Sequence, residues 1–259
     1  MRRISTCLAV LGLAVLGLSA TTSAVAAPTV TLKGTAVPIP GFPHTGNILG
    51  AGTAFKSEFT ISGTEYGGFP PPLIGVKFYG PAGSKLSPQG FGTCAPATIE
   101  ASGPRPCPKT SKAGPVGSAS GVVSFGTERV QESVTVEPFF APGGGLEFFA
   151  DGTSPVSIEI LSKGKVLNSS PPFGPTVLTE VPLVESVPGA LDASVKVISV
   201  QVGAAYKKGK KTHYYLTVPK KCPAGGFPLK AVMEFGNVNN PKELGSTAEA
   251  TYKAPSPKK

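Results

Sequence analysis

The sequence predicts an all-β protein, an antiparallel two-sheet β-sandwich or jelly-roll-like fold with about a dozen strands and long Pro/Gly-rich loops. Three observations carry that expectation. Apolar residues recur with period two in short blocks throughout the chain. Turn-forming residues interrupt those blocks every eight to twelve residues or so, the spacing of sandwiches. No window beyond residue 26 sustains a helical period.

The alternation is clearest in three places. Val156, Ile158 and Ile160 share a face opposite Ser157 and Glu159; Phe55, Phe59 and Ile61 oppose Lys56, Glu58 and Thr60; Leu229, Ala231, Met233 and Phe235 alternate with Lys230, Val232 and Glu234. Each reads as a strand with one dry and one wet face. Similar blocks lie at 29–35, 73–79, 97–102, 121–125, 129–139, 146–150, 176–181, 194–204, 212–218 and 247–253. Pro142-Gly143-Gly144-Gly145 reads as the turn of a hairpin, and Lys163-Gly164-Lys165 as a second tight turn.

Glycine and proline supply 33 and 28 of the 259 residues, close to low-complexity usage, yet the chain is 40% hydrophobic and so able to bury a core. Residues 27–259 are expected to form a single β-sandwich domain. A split near 140–155 has no linker-like composition to support it.

Residues 1–26 have the layout of a secretory signal peptide: Arg2 and Arg3, an apolar run over 8–18, and Ala24-Val25-Ala26 at the cleavage site. The run is shorter than the roughly 20 residues that cross a bilayer. Export is therefore expected, to the extracellular space or the cell envelope, with no transmembrane segment in the mature chain.

Charge is unevenly distributed. Residues 27–192 hold ten basic and twelve acidic residues, whereas residues 193–259 hold twelve basic and three acidic. Such asymmetry suits an anionic partner or a solvated face. Its sharpest element is a hairpin pattern over 205–215, whose tip carries Lys207, Lys208, Lys210 and Lys211 around Gly209. With Lys220 and Lys221 these form the candidate polyanion-binding surface, suited to an anionic cell-envelope polymer or polysaccharide. The alternative use of such a tip is to keep edge strands soluble and unpaired. Nucleic acid fits poorly, since Arg105 and Arg129 lie far from the lysines in sequence.

Cys94, Cys107 and Cys222 remain after the leader. Cys94 and Cys107 flank a short Pro-rich segment and are the candidate disulfide. The only histidines, His44 and His213, have no cysteine at ligand spacing, so neither a metal site nor a cofactor is expected. Gly117-Ser118-Ala119-Ser120-Gly121 places alanine where a nucleophile elbow needs serine. The pairs Glu128/Glu132 and Glu147/Asp151 have no sequence signal that brings them together for glycoside chemistry. The expected role is thus a non-enzymatic exported protein, binding or structural. A carbohydrate-recognition module using Tyr66, Phe69, Tyr79 and Phe91 is the alternative, and a secreted hydrolase the third.

The stretches 203–211, 218–228 and 251–255, together with Phe91-Gly92-Thr93-Cys94-Ala95-Pro96, resemble uncharacterised secreted all-β proteins of high-GC Gram-positive (actinobacterial) bacteria. The resemblance covers about a third of the mature chain and brings no known activity. In that family the closing stretch continues with Cys-Pro, where this chain has Ser256-Pro257. The resemblance therefore implies that Cys222 lacks a C-terminal partner here.

Overall fold

The computed structural model describes residues 27–42, 49–125 and 128–255. The expected leader and His44 lie outside the described residues. Strands β1 (Thr29–Val37), β2 (Gly52–Ser62), β3 (Leu73–Pro81) and β4 (Lys85–Leu86) precede a short helix, α1 (Pro96–Ser102). A run of antiparallel strands follows: β5 (Gly117–Phe125), β6 (Glu128–Phe140), β7 (Leu146–Gly152), β8 (Ile158–Asn168) and β9 (Phe173–Glu180). The chain then forms β10 (Ser194–Val202), β11 (Ala205–Lys208), β12 (Lys211–Tyr214) and β13 (Leu216–Thr217). It closes with β14 (Phe227–Gly236) and β15 (Leu244–Ala254).

The fold is all-β and antiparallel, with thirteen strands in one sheet and the β11–β12 hairpin standing apart as a second. The order is β15-β14-β3-β9-β8-β7-β6-β5-β10-β2-β13-β4, and β1 pairs with β2. β1 also lies against β15, so the sheet curls until its edges approach. The two layers of the sandwich-like arrangement are thus two halves of one continuous sheet. Residues 140–155 fall inside it, where β6 pairs with β7 through Phe140↔Leu146. Gly34 of β1 permits the close approach. A Cβ there would stand 2.5 Å from Phe55 Cζ and 2.7 Å from Leu229 Cδ1.

Period two places the core as the sequence implies. Leu229, Ala231, Met233 and Phe235 of β14 are buried, and pack with Leu32, Phe59 and Ile61. Two local expectations fail. Residues 97–102 form α1 rather than a strand, because Pro96 opens a helical turn and Gly103, at φ 66°, ends it. The Lys163-Gly164-Lys165 triplet is no turn: Gly164 sits within β8, paired with Leu146 on one side and Thr179 on the other. Its two lysines point outward from a central strand.

Because the strands alternate in direction, their connections gather at two ends. The hairpin end holds the β6–β7 and β8–β9 turns, the segment from β10 to β14 with its β11–β12 hairpin, and the end of β15. The crossover end holds residues 63–72, the β7–β8 turn, residues 237–243 and the long connection 181–193. That connection leads from β9 in one half of the sheet to β10 in the other, and so spans the end it crosses.

Candidate functional site

The curled sheet encloses a cavity of about 260 Å³. Its wall comes from the inward-facing positions of almost every strand, including Phe59, Val76, Phe148, Ile160, Val177 and Val200. β7 shows how the pleat divides its residues: Leu146, Phe148 and Ala150 face the cavity, while Phe149 joins a cluster on the outer face. In β10 a bulge between Val195 and Val197 lets Val195 and Ile198, three residues apart, both face inward.

Among the described residues no charged side chain lines the cavity; its side-chain polar groups belong to Ser57, Ser84, Ser162, Thr179 and Tyr215. Tyr215 sits at the bend between β12 and β13, 1% exposed, with its ring centroid 4.6 Å from that of Phe140. Its hydroxyl is buried and has no hydrogen-bond partner among the described residues. Burial pushes its pKa above the ordinary tyrosine value. The cavity wall extends to the hairpin end through Pro81, Ser84, Leu86, Pro219 and Pro255. Of these, Pro255 is itself exposed.

The crossover end is closed by polar contacts. Arg129 donates to Ser194 Oγ at 2.7 Å, to the Asp192 carbonyl at 3.3 Å and to Ser124 Oγ at 3.4 Å. Its guanidinium lies 5.5 Å from the Tyr66 ring and 5.4 Å from Phe69. Burial draws the Arg129 pKa below its ordinary value. Ser124 Oγ donates to the Leu191 carbonyl, Ser186 Oγ donates to that of Ser124, and the Asp192 N–H donates to Tyr66 Oη. Burial, then the nearby Glu185 charge, raises the Asp192 carboxyl pKa.

On the outer wall, α1 and the Cys94–Cys107 disulfide form a roof over β6, β7 and β8. Cys94, Ile99, Phe139, Phe149 and Leu161 pack beneath it. Glu147 lies in the same wall, 1% exposed, and neither carboxylate oxygen has a hydrogen-bond partner among the described residues. Burial pushes its carboxyl up to about 7, against a partial opposing effect from Lys163 and with a further rise from Glu100. Lys163 itself pairs with Glu100 at 2.6 Å.

Lys207, Lys208, Lys210 and Lys211 are all exposed at the β11–β12 tip, where Lys208 pairs with Lys211 in register. Lys220 and Lys221 are exposed in the following connection. None of the six is in an ion pair among the described residues. His213 stacks on Tyr206 with centroids 4.8 Å apart and planes 7° from parallel. The loop aromatics do not share a surface: Tyr66 and Phe69 lie under Arg129 at the crossover end. Phe91 packs against Phe140 and Tyr206, and Tyr79 against Phe173. Cys222 is a free, half-buried thiol beside the β14 core.

Among the described residues no group of three or more His, Cys, Asp and Glu is placed to hold a metal ion, and no helix is long and apolar enough to cross a membrane. No protein-family profile, curated protein or solved structure matches the chain.

Proposed function

We propose that this chain is an exported, non-enzymatic binding protein that holds an uncharged, apolar portion of a lipid-like ligand inside its curled sheet. The observation that carries this reading is the cavity of about 260 Å³ whose wall, among the described residues, holds no charged side chain. A void of that volume forgoes up to about 6 kcal/mol of packing, at the roughly 24 cal/mol per Å³ found for core cavities. An apolar occupant would recover part of it, and a wall that is apolar but for Ser57, Ser84, Ser162, Thr179 and Tyr215 suits a ligand that is mostly hydrocarbon. A charged group would be desolvated in the wall without a counter-ion.

The test is saturable binding of an uncharged fluorescent probe, N-phenyl-1-naphthylamine, to delipidated protein. Ala119→Phe and Ala150→Phe, both in the wall, should weaken binding at least tenfold with circular dichroism unchanged. Binding indifferent to both filled variants would place the probe elsewhere and defeat the reading.

A second reading is favoured by the exposed, unpaired lysines of the hairpin. It holds that Lys207, Lys208, Lys210, Lys211, Lys220 and Lys221 contact an anionic envelope polymer. Such binding weakens steeply with salt.

A further inference from the structure

The cavity and the charge distribution converge on one face of the molecule. The described segments that build the hairpin end are 36–42, 49–55, 80–95, 113–118, 140–146, 167–176, 202–229 and 253–255, and none contains an aspartate or glutamate. They carry Lys85, Lys207, Lys208, Lys210, Lys211, Lys220, Lys221 and Lys253. All eight are exposed, and none is ion-paired among the described residues. Lys85 is brought to this end by the pairing of β4 with β13, where it opposes Thr217. Lys253 flanks Ala254, which lines the cavity, and lies beside Gly225 in the β13–β14 connection.

The opposite end reverses the sign. The described segments 62–73, 128–131, 151–158, 180–194 and 236–244 carry Glu65, Glu128, Asp151, Glu180, Glu185, Asp192 and Glu243 against Arg129 and Lys242. The curled sheet is therefore electrically polar along its strands, and at the positive end its cavity wall runs out to the exposed Pro255.

We infer that the hairpin end is a docking face for an anionic lipid bilayer, held against the headgroups by its lysines while the cavity exchanges its apolar ligand with the membrane. This deepens the reading of the cavity as a lipid-binding site and rests on it. Three observations favour a bilayer over a soluble polymer. The apolar wall residues Pro81, Leu86, Pro219 and Pro255 and the lysines share one end, whereas a polymer needs only the lysines. Leu167, near the end of β8 on the hairpin side, is 49% exposed, and Pro255 of the cavity wall is also exposed. A bilayer, finally, is the phase from which a water-insoluble ligand is available. The acidic, crossed end meets an anionic surface unfavourably, so the field also orients the approach.

The test is sedimentation of the mature chain, residues 27–259, with vesicles of phosphatidylcholine alone and with 30% phosphatidylglycerol, across a salt series. Transfer of a fluorescent acyl lipid between labelled and unlabelled vesicles is measured in parallel. We expect binding only to the anionic vesicles. Changing Lys207, Lys208, Lys210, Lys211, Lys220 and Lys221 to Ser should lower it at least tenfold, whereas Lys56→Ser and Lys163→Ser leave it within twofold. Transfer should fall with binding. Equal binding to neutral vesicles would overturn the proposal, as would the six-lysine variant binding like the parent. Binding of isolated anionic wall polymer without vesicle binding would overturn it in favour of the polymer. N-phenyl-1-naphthylamine uptake separates the two levels. Uptake without vesicle binding removes the docking face and leaves the cavity reading, and vesicle binding without uptake does the reverse.

Discussion

The two ends of the sheet are built from the same kinds of connection and hold themselves together differently. At the crossover end, 181–193 is tied down by Arg129, Ser124, Ser186 and Tyr66, and two aromatic rings flank the guanidinium. At the hairpin end the connections are short strands and proline turns, and their lysines reach into solvent without partners among the described residues. One end spends its polar side chains on closing the fold; the other leaves them free for something outside it. Stability and interaction should therefore be separable by mutation.

Arg129→Ala should have the largest effect, a loss of about 3 kcal/mol, because it leaves Ser194, the Asp192 carbonyl and Ser124 short of a donor in a half-buried site. Urea unfolding reads this as a fall in midpoint, and hydrogen exchange should show the loss first at residues 181–193. A variant as stable as the parent would mean that the connection is held by packing alone, and the contrast between the ends would collapse.

Glu147→Gln tests the outer wall between the ends. The folded carboxyl is pushed up to about 7, above the ordinary value of 4.5, by burial. Between those values the folded chain retains a proton that the unfolded chain has released. Stability should accordingly fall as pH rises from about 4.5 through about 7, and level off above it. Glutamine keeps the shape and removes the charge. The variant should gain about 2 kcal/mol at pH 8, nothing at pH 4, and lose this part of the pH dependence. Parallel pH profiles for parent and variant would show that Glu147 ionises freely in the folded state.

The sequence shows these features unequally, for physical reasons. Strand faces are legible because burial on one side imposes period two, as in β14, and the Cys94–Cys107 bond follows from a short Pro-rich spacer. The helix α1 is missed because its seven residues are too few to show a period, with Ile99 as their sole buried side chain. Lys163-Gly164-Lys165 misleads because turn composition and a central-strand glycine look alike until partners are known on both sides. The cavity is the deepest miss. Its signal is a shortage of bulk, with Ala36, Gly80, Ala119 and Ala150 at inward positions. That shortage has meaning only once the strands are known to curl into one wide wall, since interior width grows with strand number. The charge asymmetry is visible in the chain, but Lys85 joins the other lysines only through the β4–β13 pairing.

The smallest expected effect on stability lies where the expected effect on interaction is largest. Changing Lys207, Lys208, Lys210 and Lys211 to Ser removes four exposed charges clustered on one hairpin, with no ion pair among the described residues to break. Exposed substitutions of this kind shift stability by about 0.5 kcal/mol or less, and relief of like-charge repulsion between Lys208 and Lys211 acts in the stabilising direction. The urea midpoint should thus stay within error of the parent, even though the same variant loses salt-sensitive affinity for anionic surfaces. A marked fall in midpoint would instead mean that the hairpin stems, stacked through Tyr206 and His213 and packed on Phe91, depend on their charged tip for structure. The lysines would then belong to the fold, and the hairpin end would resemble the crossover end after all.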